Sequence, residues 1–484
     1  MDTRAALPHI VSFVRRHLAL LVGLIFLILY TLTLAPGLLP ADAGEYQVVG
    51  AVLGVAHPPG FALYTLASWL ISRVPGVPPA AAINFLSALL AAGALALVCR
   101  ATERFTGSAL AGLAAALVLG LSTTFWAQAT TANIRMPAAF AVAWALERLA
   151  AYRAALADEP AAADRKLAWL ALAMGLGVAH HASLVFLMAV LAVYALWLRP
   201  AALRRPWLAL AAGLLPFAAW LYFPLRAGAF GAPAQIATVN GFLEHVLARG
   251  FAGDLFFFAN AAALPGRLSI FSNILSFEFN DAALKLIAVG AVLSLWRDRR
   301  LGLALAGAWV AHVFVSITYR APQTVEYLLP AYVLMGVWAG SAIAEGQRWL
   351  ARMALSWQRP WLPPTTAGAV LALVALGQAL VTFPSYAWLA RDNTTRAYAQ
   401  SVLEAAPPNA VVLANWHWAT PMWYLQQVEK RRTDVEVRYV FPLGESLAKT
   451  WTDAILAELP HRPVVATSFF AAEYRALPAT FVPL

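Results

Sequence analysis

The sequence predicts a polytopic α-helical membrane protein with about eleven transmembrane helices, followed by a small α/β domain outside the membrane. Three observations predict it. Of 484 residues, 61% are hydrophobic and only 12% charged, half the charge of an average soluble domain, so lipid must be the main solvent. Apolar stretches of bilayer length recur along residues 1–383. Basic residues stand in short clusters between those stretches: Arg15-Arg16, Arg100/Arg104, Arg148/Arg153/Arg165/Lys166, Arg199/Arg204/Arg205, Arg297/Arg299/Arg300 and Arg348/Arg352/Arg359. Soluble enzymes, coiled coils and disordered chains are excluded. The one cysteine, Cys99, excludes a disulfide framework and a cysteine-built metal site.

The apolar stretches run over 17–35, 80–99, 107–125, 137–153, 167–181, 183–198, 207–225, 282–296, 301–318, 327–344 and 365–383. Stretch 167–198 reads either as two short spans or as one long one. The first stretch is long and followed by many others, so it reads as a retained anchor. Threading the chain from a cytoplasmic N-terminus places every basic cluster inside, 18 Lys/Arg against seven outside. This is the asymmetry of the positive-inside rule, and it calls for an odd number of spans. Residues 384–484 hold nine basic and nine acidic groups, so the net charge of +10 belongs to the membrane part. That excess faces a lipid bilayer, not nucleic acid. The expected location is the cell inner membrane, multi-pass, with the C-terminal domain periplasmic.

Two outer loops are large. Residues 36–79 carry seven prolines that break regular structure into short pieces. Residues 226–281 carry aromatics, among them Phe256-Phe257-Phe258, and few charges, which suits amphipathic helices on the membrane face. The expected division is a membrane domain over 1–383 and a periplasmic α/β domain over 384–484. In the latter, strands are expected at Val411–Leu413, Val435–Val440 and Val464–Thr467, with helices at Thr420–Lys430 and Leu447–Leu459. Strand–helix alternation of this kind forms a parallel sheet.

The ionisable residues gather on the outer side: Asp42, Glu45 and His57 in the first loop, then Arg135, His180, His181, Arg226, Arg320 and Glu326 at outer helix ends. Such groups in an apolar chain mark a functional site by default. Simpler readings stand beside that one. Asp42 and Glu45 match a capping box. His57-Pro58-Pro59-Gly60 fits a turn, and one of the two adjacent histidines is expected to face away. Arg226, Arg135 and Arg320 suit snorkelling arginines. Chemically, a carboxylate beside an apolar wall can act as a general base toward a hydroxyl, and arginines can hold a leaving phosphate. Transfer of a sugar from a lipid phosphate needs this set. No cofactor is firmly implied; two carboxylates and His57 offer a thin ligand set for a divalent metal, ranked below metal-free chemistry.

The stretch Pro40-Ala41-Asp42-Ala43-Gly44-Glu45-Tyr46, with Leu53-Gly54-Val55-Ala56-His57-Pro58-Pro59-Gly60-Phe61, resembles the signature of transmembrane protein 260-type protein O-mannosyltransferases. Ser122 through Trp126, Gly175 through His181, Leu214 through Arg226, and Asn415 through Val435 resemble further segments of that family in order. Asn133-Ile134-Arg135 departs from it, standing where the family often has an acidic residue. The resemblance implies a GT-C-like glycosyltransferase, inverting, with a polyprenyl-phosphate sugar as donor. It makes Asp42 the base, with Glu45 beside it. His57, Tyr46, His180, His181, Arg135, Arg226 and Arg320 are the expected substrate-binding residues. The expected reaction moves a hexose such as mannose to a hydroxyl on a protein or glycolipid acceptor. The alternative is a transporter or flippase of lipid-linked sugars, which the lack of a visible repeat disfavours.

Overall fold

The computed structural model describes residues 3–321, 323–356, 362–442, 444 and 446–482; Arg359 of the last basic cluster lies outside them. The first half holds α1 (Thr3–Leu32), α2 (Ala41–Val52), α3 (Ala62–Ile71), α4 (Pro79–Thr106), α5 (Ala109–Gly120), α6 (Thr123–Ala129), α7 (Arg135–Asp158), α8 (Ala163–His180), α9 (Leu184–Leu198), α10 (Trp207–Leu214), α11 (Tyr222–Leu225) and α12 (Val239–Val246). There follow α13 (Leu264–Glu278), α14 (Asp281–Arg297), α15 (Arg299–Thr318), α16 (Thr324–Tyr327), α17 (Leu329–Ser356), α18 (Leu362–Leu389) and α19 (Thr394–Ala405). The last segment alternates β1 (Val411–Ala414), α20 (Trp416–Gln427), β2 (Glu436–Tyr439), α21 (Leu447–Glu458) and β3 (Val464–Ala466).

The apolar stretches read from the sequence fall on helices. Stretch 167–198 is two of them, α8 and α9, parted at residues 181–183. Among the described residues, four helical segments are long and apolar enough to cross a membrane: Pro79–Thr106, Trp207–Leu225, Arg299–Thr318 and Thr366–Ala405. Two sharply bent pairs, α5 with α6 (77°) and α13 with α14 (115°), bring this to six. The break after α5 has a partner that holds it open. Buried Glu278, at the end of α13, accepts the Thr124 backbone N–H with both carboxylate oxygens at 2.9 and 3.1 Å, satisfying the first turn of α6.

Basic clusters from distant parts of the sequence meet at one pole of the bundle. Glu147 is fully buried and pairs with Arg104 and Arg148, with Arg100 at 3.6 Å. Arg153 reaches Asp298 at 2.5 Å, and Arg348 reaches Glu345 and the Thr106 carbonyl. Thus α4, α7, α15 and α17 bring their charged ends together.

In the last segment, β1 lies between its neighbours in a parallel sheet ordered β2-β1-β3, with Val411 opposite both Glu436 and Val464. All four residues of β1 are buried, as suits the centre of a parallel sheet. Helix α20 starts at Trp416, earlier than its expected start at Thr420, because the Asn415 side chain accepts the Trp418 N–H and caps it. This segment shares one apolar core with the first loop: Tyr46, Val49, Phe61 and Tyr64 pack in the same cluster as Val412, Ala419, Met422 and Leu425. The loop and the sheet are therefore built against each other.

Candidate active site

Helix α2 carries the acidic pair. It follows Pro40, whose extended backbone (ψ 175°) makes no side-chain cap, so the capping-box reading of Asp42 fails. Asp42 instead lies in the first turn, where the helix dipole favours a carboxylate. Buried Gln47, one turn further, bonds Leu39, Gly37 and Asn84 and fixes the loop onto α4. The helix ends at Leu53 in the left-handed region, and the chain turns back so that His57 faces the helix. Glu45 accepts the His57 backbone N–H at 2.8 Å, and its other oxygen lies 2.5 Å from His57 Nδ1. The His57-Pro58-Pro59-Gly60 segment is thus more than a connection. Gly60 has φ +86°, and a Cβ there would come within 2.4 Å of Phe223, so only glycine suits this close approach.

Burial alone would lower the His57 pKa, but the charge of Glu45 and its hydrogen bond reverse that and raise it to about 8. His57 is therefore protonated at neutral pH. Burial, followed by the charges of Asp42 and Glu45, pushes the Tyr46 phenol up, well above its ordinary value.

One donor atom each of Asp42, Glu45 and His57 lies within 4.8 Å of the others, a set that resembles a divalent-cation site. A cation there would have to displace the proton that His57 shares with Glu45, since a ligand imidazole must be neutral. We derive no step through a metal.

An aromatic wall continues from this cluster. Tyr46 packs edge-on against Phe61 and Tyr64, and Phe61 stacks on His181 with centroids 6.1 Å apart. His181 Nε2 lies 3.0 Å from Arg135 Nη1. Arg135 is buried, sits 3.6 Å above the Tyr327 ring and has Glu326 at 3.9 Å. Burial raises the Glu326 pKa, against the opposing pull of Arg135. His180 Nε2 lies 2.8 Å from the Ile134 carbonyl, and its ring centroid is 5.8 Å from that of Phe61, so both adjacent histidines border Phe61.

Two expected residues find their partners elsewhere. Arg226 Nε donates to the Leu53 carbonyl at 2.9 Å and Tyr222 donates to Gly54 at 2.6 Å, bracing the end of α2. Arg320 pairs with Asp254 at 2.6 Å and lies over Phe257. In this geometry Arg226 braces the end of α2 and Arg320 is held by Asp254.

The residue that sequence reasoning missed is Trp416. Its indole Nε1 donates to Asp42 Oδ1 at 2.7 Å. It stood only inside a longer resembling stretch, with nothing local to single it out. An apolar cleft of about 420 Å³ also opens between α8, α9 and α10. Met174, Val178, Val185, Met188 and Phe217 line it, and Val178 and Val185 flank the His180-His181 turn in sequence.

Residues 42–203, which contain the Asp42, Glu45 and His57 cluster with Arg135 and both histidines, match the family model described as Protein O-mannosyl-transferase TMEM260 N-terminal domain. This part of the chain is TMEM260-like. Within the chain, 106 residues are 38% identical to Protein O-mannosyl-transferase TMEM260 of Mus musculus, and 102 residues are 30% identical to that of Dictyostelium discoideum. The matches cover 22% and 20% of this chain but only 15% and 12% of those relatives. The TMEM260-like stretch thus aligns with a small part of much longer proteins. The fold as a whole is similar to a crystal structure of ArnT from Cupriavidus metallidurans bound to undecaprenyl phosphate, with TM-score 0.56 and 15% identity over 93% of this chain and 89% of that one. It is also similar to an Archaeoglobus fulgidus oligosaccharyltransferase tethered with an acceptor peptide, with TM-score 0.53 and 14% identity over 87% and 64%. Over most of its length the chain therefore shares the largely helical fold of these two solved structures.

Proposed function

We propose that this protein is a membrane glycosyltransferase that moves a hexose such as mannose from a polyprenyl-phosphate donor to a hydroxyl acceptor, with protein O-glycosylation as the preferred case. The observation that carries the reading is the Asp42 carboxylate. It is half-buried, not used as a helix cap, held by the Trp416 indole at 2.7 Å and within 4.8 Å of His57. The family match over residues 42–203 supports the reaction class. Undecaprenyl phosphate in one solved relative and an acceptor peptide in the other support the donor and acceptor classes.

In this reaction Asp42 takes the proton of the acceptor hydroxyl as its oxygen attacks the anomeric carbon. The bond from that carbon to the phosphate oxygen breaks, and the lipid phosphate leaves with the electron pair. The anomeric centre inverts. Positive charge on His57 and Arg135 meets the developing phosphate charge, while the cleft below His181 suits an isoprenoid tail. Residues 1–383 form the membrane part and 384–484 the outer unit in this reading. The first loop and the last segment project to the periplasmic side of the inner membrane, and the Glu147 pole faces the cytoplasm.

The test uses the full chain in lipid bilayers with labelled polyprenyl-phosphate mannose, following release of lipid phosphate. Loss of the base is expected to cost about 10²–10⁴ in rate, so Asp42→Asn should be nearly silent. Equal release by wild type and Asp42→Asn would remove Asp42 from the chemistry. Movement of the lipid-linked sugar across the bilayer without any release would favour a flippase.

A further inference from the structure

The two oxygens of Asp42 are not equivalent. Oδ1 accepts the Trp416 indole N–H at 2.7 Å; among the described residues, Oδ2 accepts no hydrogen bond. An indole nitrogen is a donor only, so this contact takes one lone-pair site and fixes the plane of the carboxylate. The free oxygen is left with a defined direction, which is what a base needs in order to meet a hydroxyl proton within hydrogen-bond reach.

The direction of the indole is itself fixed. Trp416 opens α20 directly after buried strand β1, with the Asn415 side chain as cap. Its ring is wedged among His57 (6.3 Å), Trp423 (5.8 Å) and Tyr439 (5.1 Å). Helix α20 is anchored on the first loop at two further points. The Thr420 hydroxyl donates to the Ala41 carbonyl at 2.8 Å, and the Ala80 N–H donates to the Tyr424 hydroxyl at 3.1 Å. We propose that Trp416 is a positioning residue for the Asp42 carboxylate, so that the segment beyond α18 completes the reacting centre as well as facing the acceptor. This rests on the glycosyltransferase reading above.

The experiment compares Trp416→Phe, which keeps an aromatic ring and removes the N–H, with Arg396→Met, which removes the ion pair between α19 and Glu429 and leaves the contacts of α20 with the first loop untouched. Both are made in the full chain and assayed in bilayers with polyprenyl-phosphate mannose. Trp416→Phe is expected to lower kcat roughly tenfold while the donor KM stays within about twofold, the mark of an interaction that serves the transition state. Arg396→Met is expected to keep wild-type kcat. In an Asp42→Asn background, Trp416→Phe is expected to add nothing, because the two side chains act as one unit.

Unchanged kcat in Trp416→Phe overturns the proposal, as does an equal loss in Arg396→Met or an undiminished loss in the Asp42→Asn background. Should the phenylalanine variant not accumulate, Trp416→His keeps a ring N–H and is expected to outpace Trp416→Ala several-fold; equality of those two overturns the proposal as well. A wild-type chain that releases no lipid phosphate overturns the functional reading and this role with it. An active wild type with an indifferent Trp416 overturns this role alone.

Discussion

His57 shows how a residue's surroundings choose its charge. Burial favours the neutral ring, yet the Glu45 carboxylate in contact with Nδ1 raises the pKa to about 8. A folded-state pKa above the unfolded value of about 6.5 means that the pair's contribution is full below that pH and is lost as pH rises through about 8. Because the ring is partly exposed to solvent, the contribution is of order 1 kcal/mol. Thermal unfolding of the purified protein should therefore show a loss of stability between pH 6.5 and 8.5 that is absent in Glu45→Gln. A pH-independent difference between the two would remove the ion pair as its cause. At this scale the sequence was legible where chemistry is local: Asp42, Glu45 and His57 fall within 16 residues of one another. It was not legible for Arg226 and Arg320, whose positions read as phosphate clamps but whose guanidinium groups brace Leu53 and Asp254. An arginine's choice of partner depends on which carbonyl or carboxylate the fold sets beside it.

Among the elements, α2 and α20 approach so closely at Gly44 that no Cβ fits there. A Cβ on Gly44 would stand 2.4 Å from the Leu39 carbonyl oxygen and 2.7 Å from Thr420 Oγ1. Gly44→Ala should cost about 1–3 kcal/mol by overpacking, read as a lowered unfolding temperature. Full stability in that variant would mean that the helices separate at little cost. The sequence marks Gly44 as part of a motif, and the fold supplies its reason. Hydrophobic length and proline placement made the helices and strands readable nearly to their ends. The 77° break between α5 and α6 was not readable, because the group that satisfies it, Glu278, comes from α13 about 150 residues later. A span and a broken span share one composition.

At the scale of the molecule, basic clusters far apart in the sequence meet around shared carboxylates. The clusters assigned to one side by charge counting do converge, with Arg100, Arg104 and Arg148 around Glu147 and Arg153 on Asp298. Removing the central carboxylate leaves three partly exposed guanidinium groups without their shared buried partner. Glu147→Gln should destabilise the protein by about 1–3 kcal/mol, reducing the folded yield in membranes, and Arg104→Met in the same chain should restore part of that loss. A Glu147→Gln protein of wild-type stability would show that water already screens the node. Periodicity and charge counting reveal such a pole because they sum over many residues. They do not reveal that the first loop and the last sheet share a core, since that contact depends on the route of the intervening helices.

The hydrogen bond between Asp42 and Trp416 joins residues 374 positions apart. A ribosome adding some 5–20 residues per second needs roughly 20–75 seconds to travel that distance. During that interval Glu45 can already meet His57, while Asp42 waits for its indole partner. Under the role proposed for Trp416, a product terminated before residue 416 would carry an Asp42 carboxylate that nothing beyond the first loop orients.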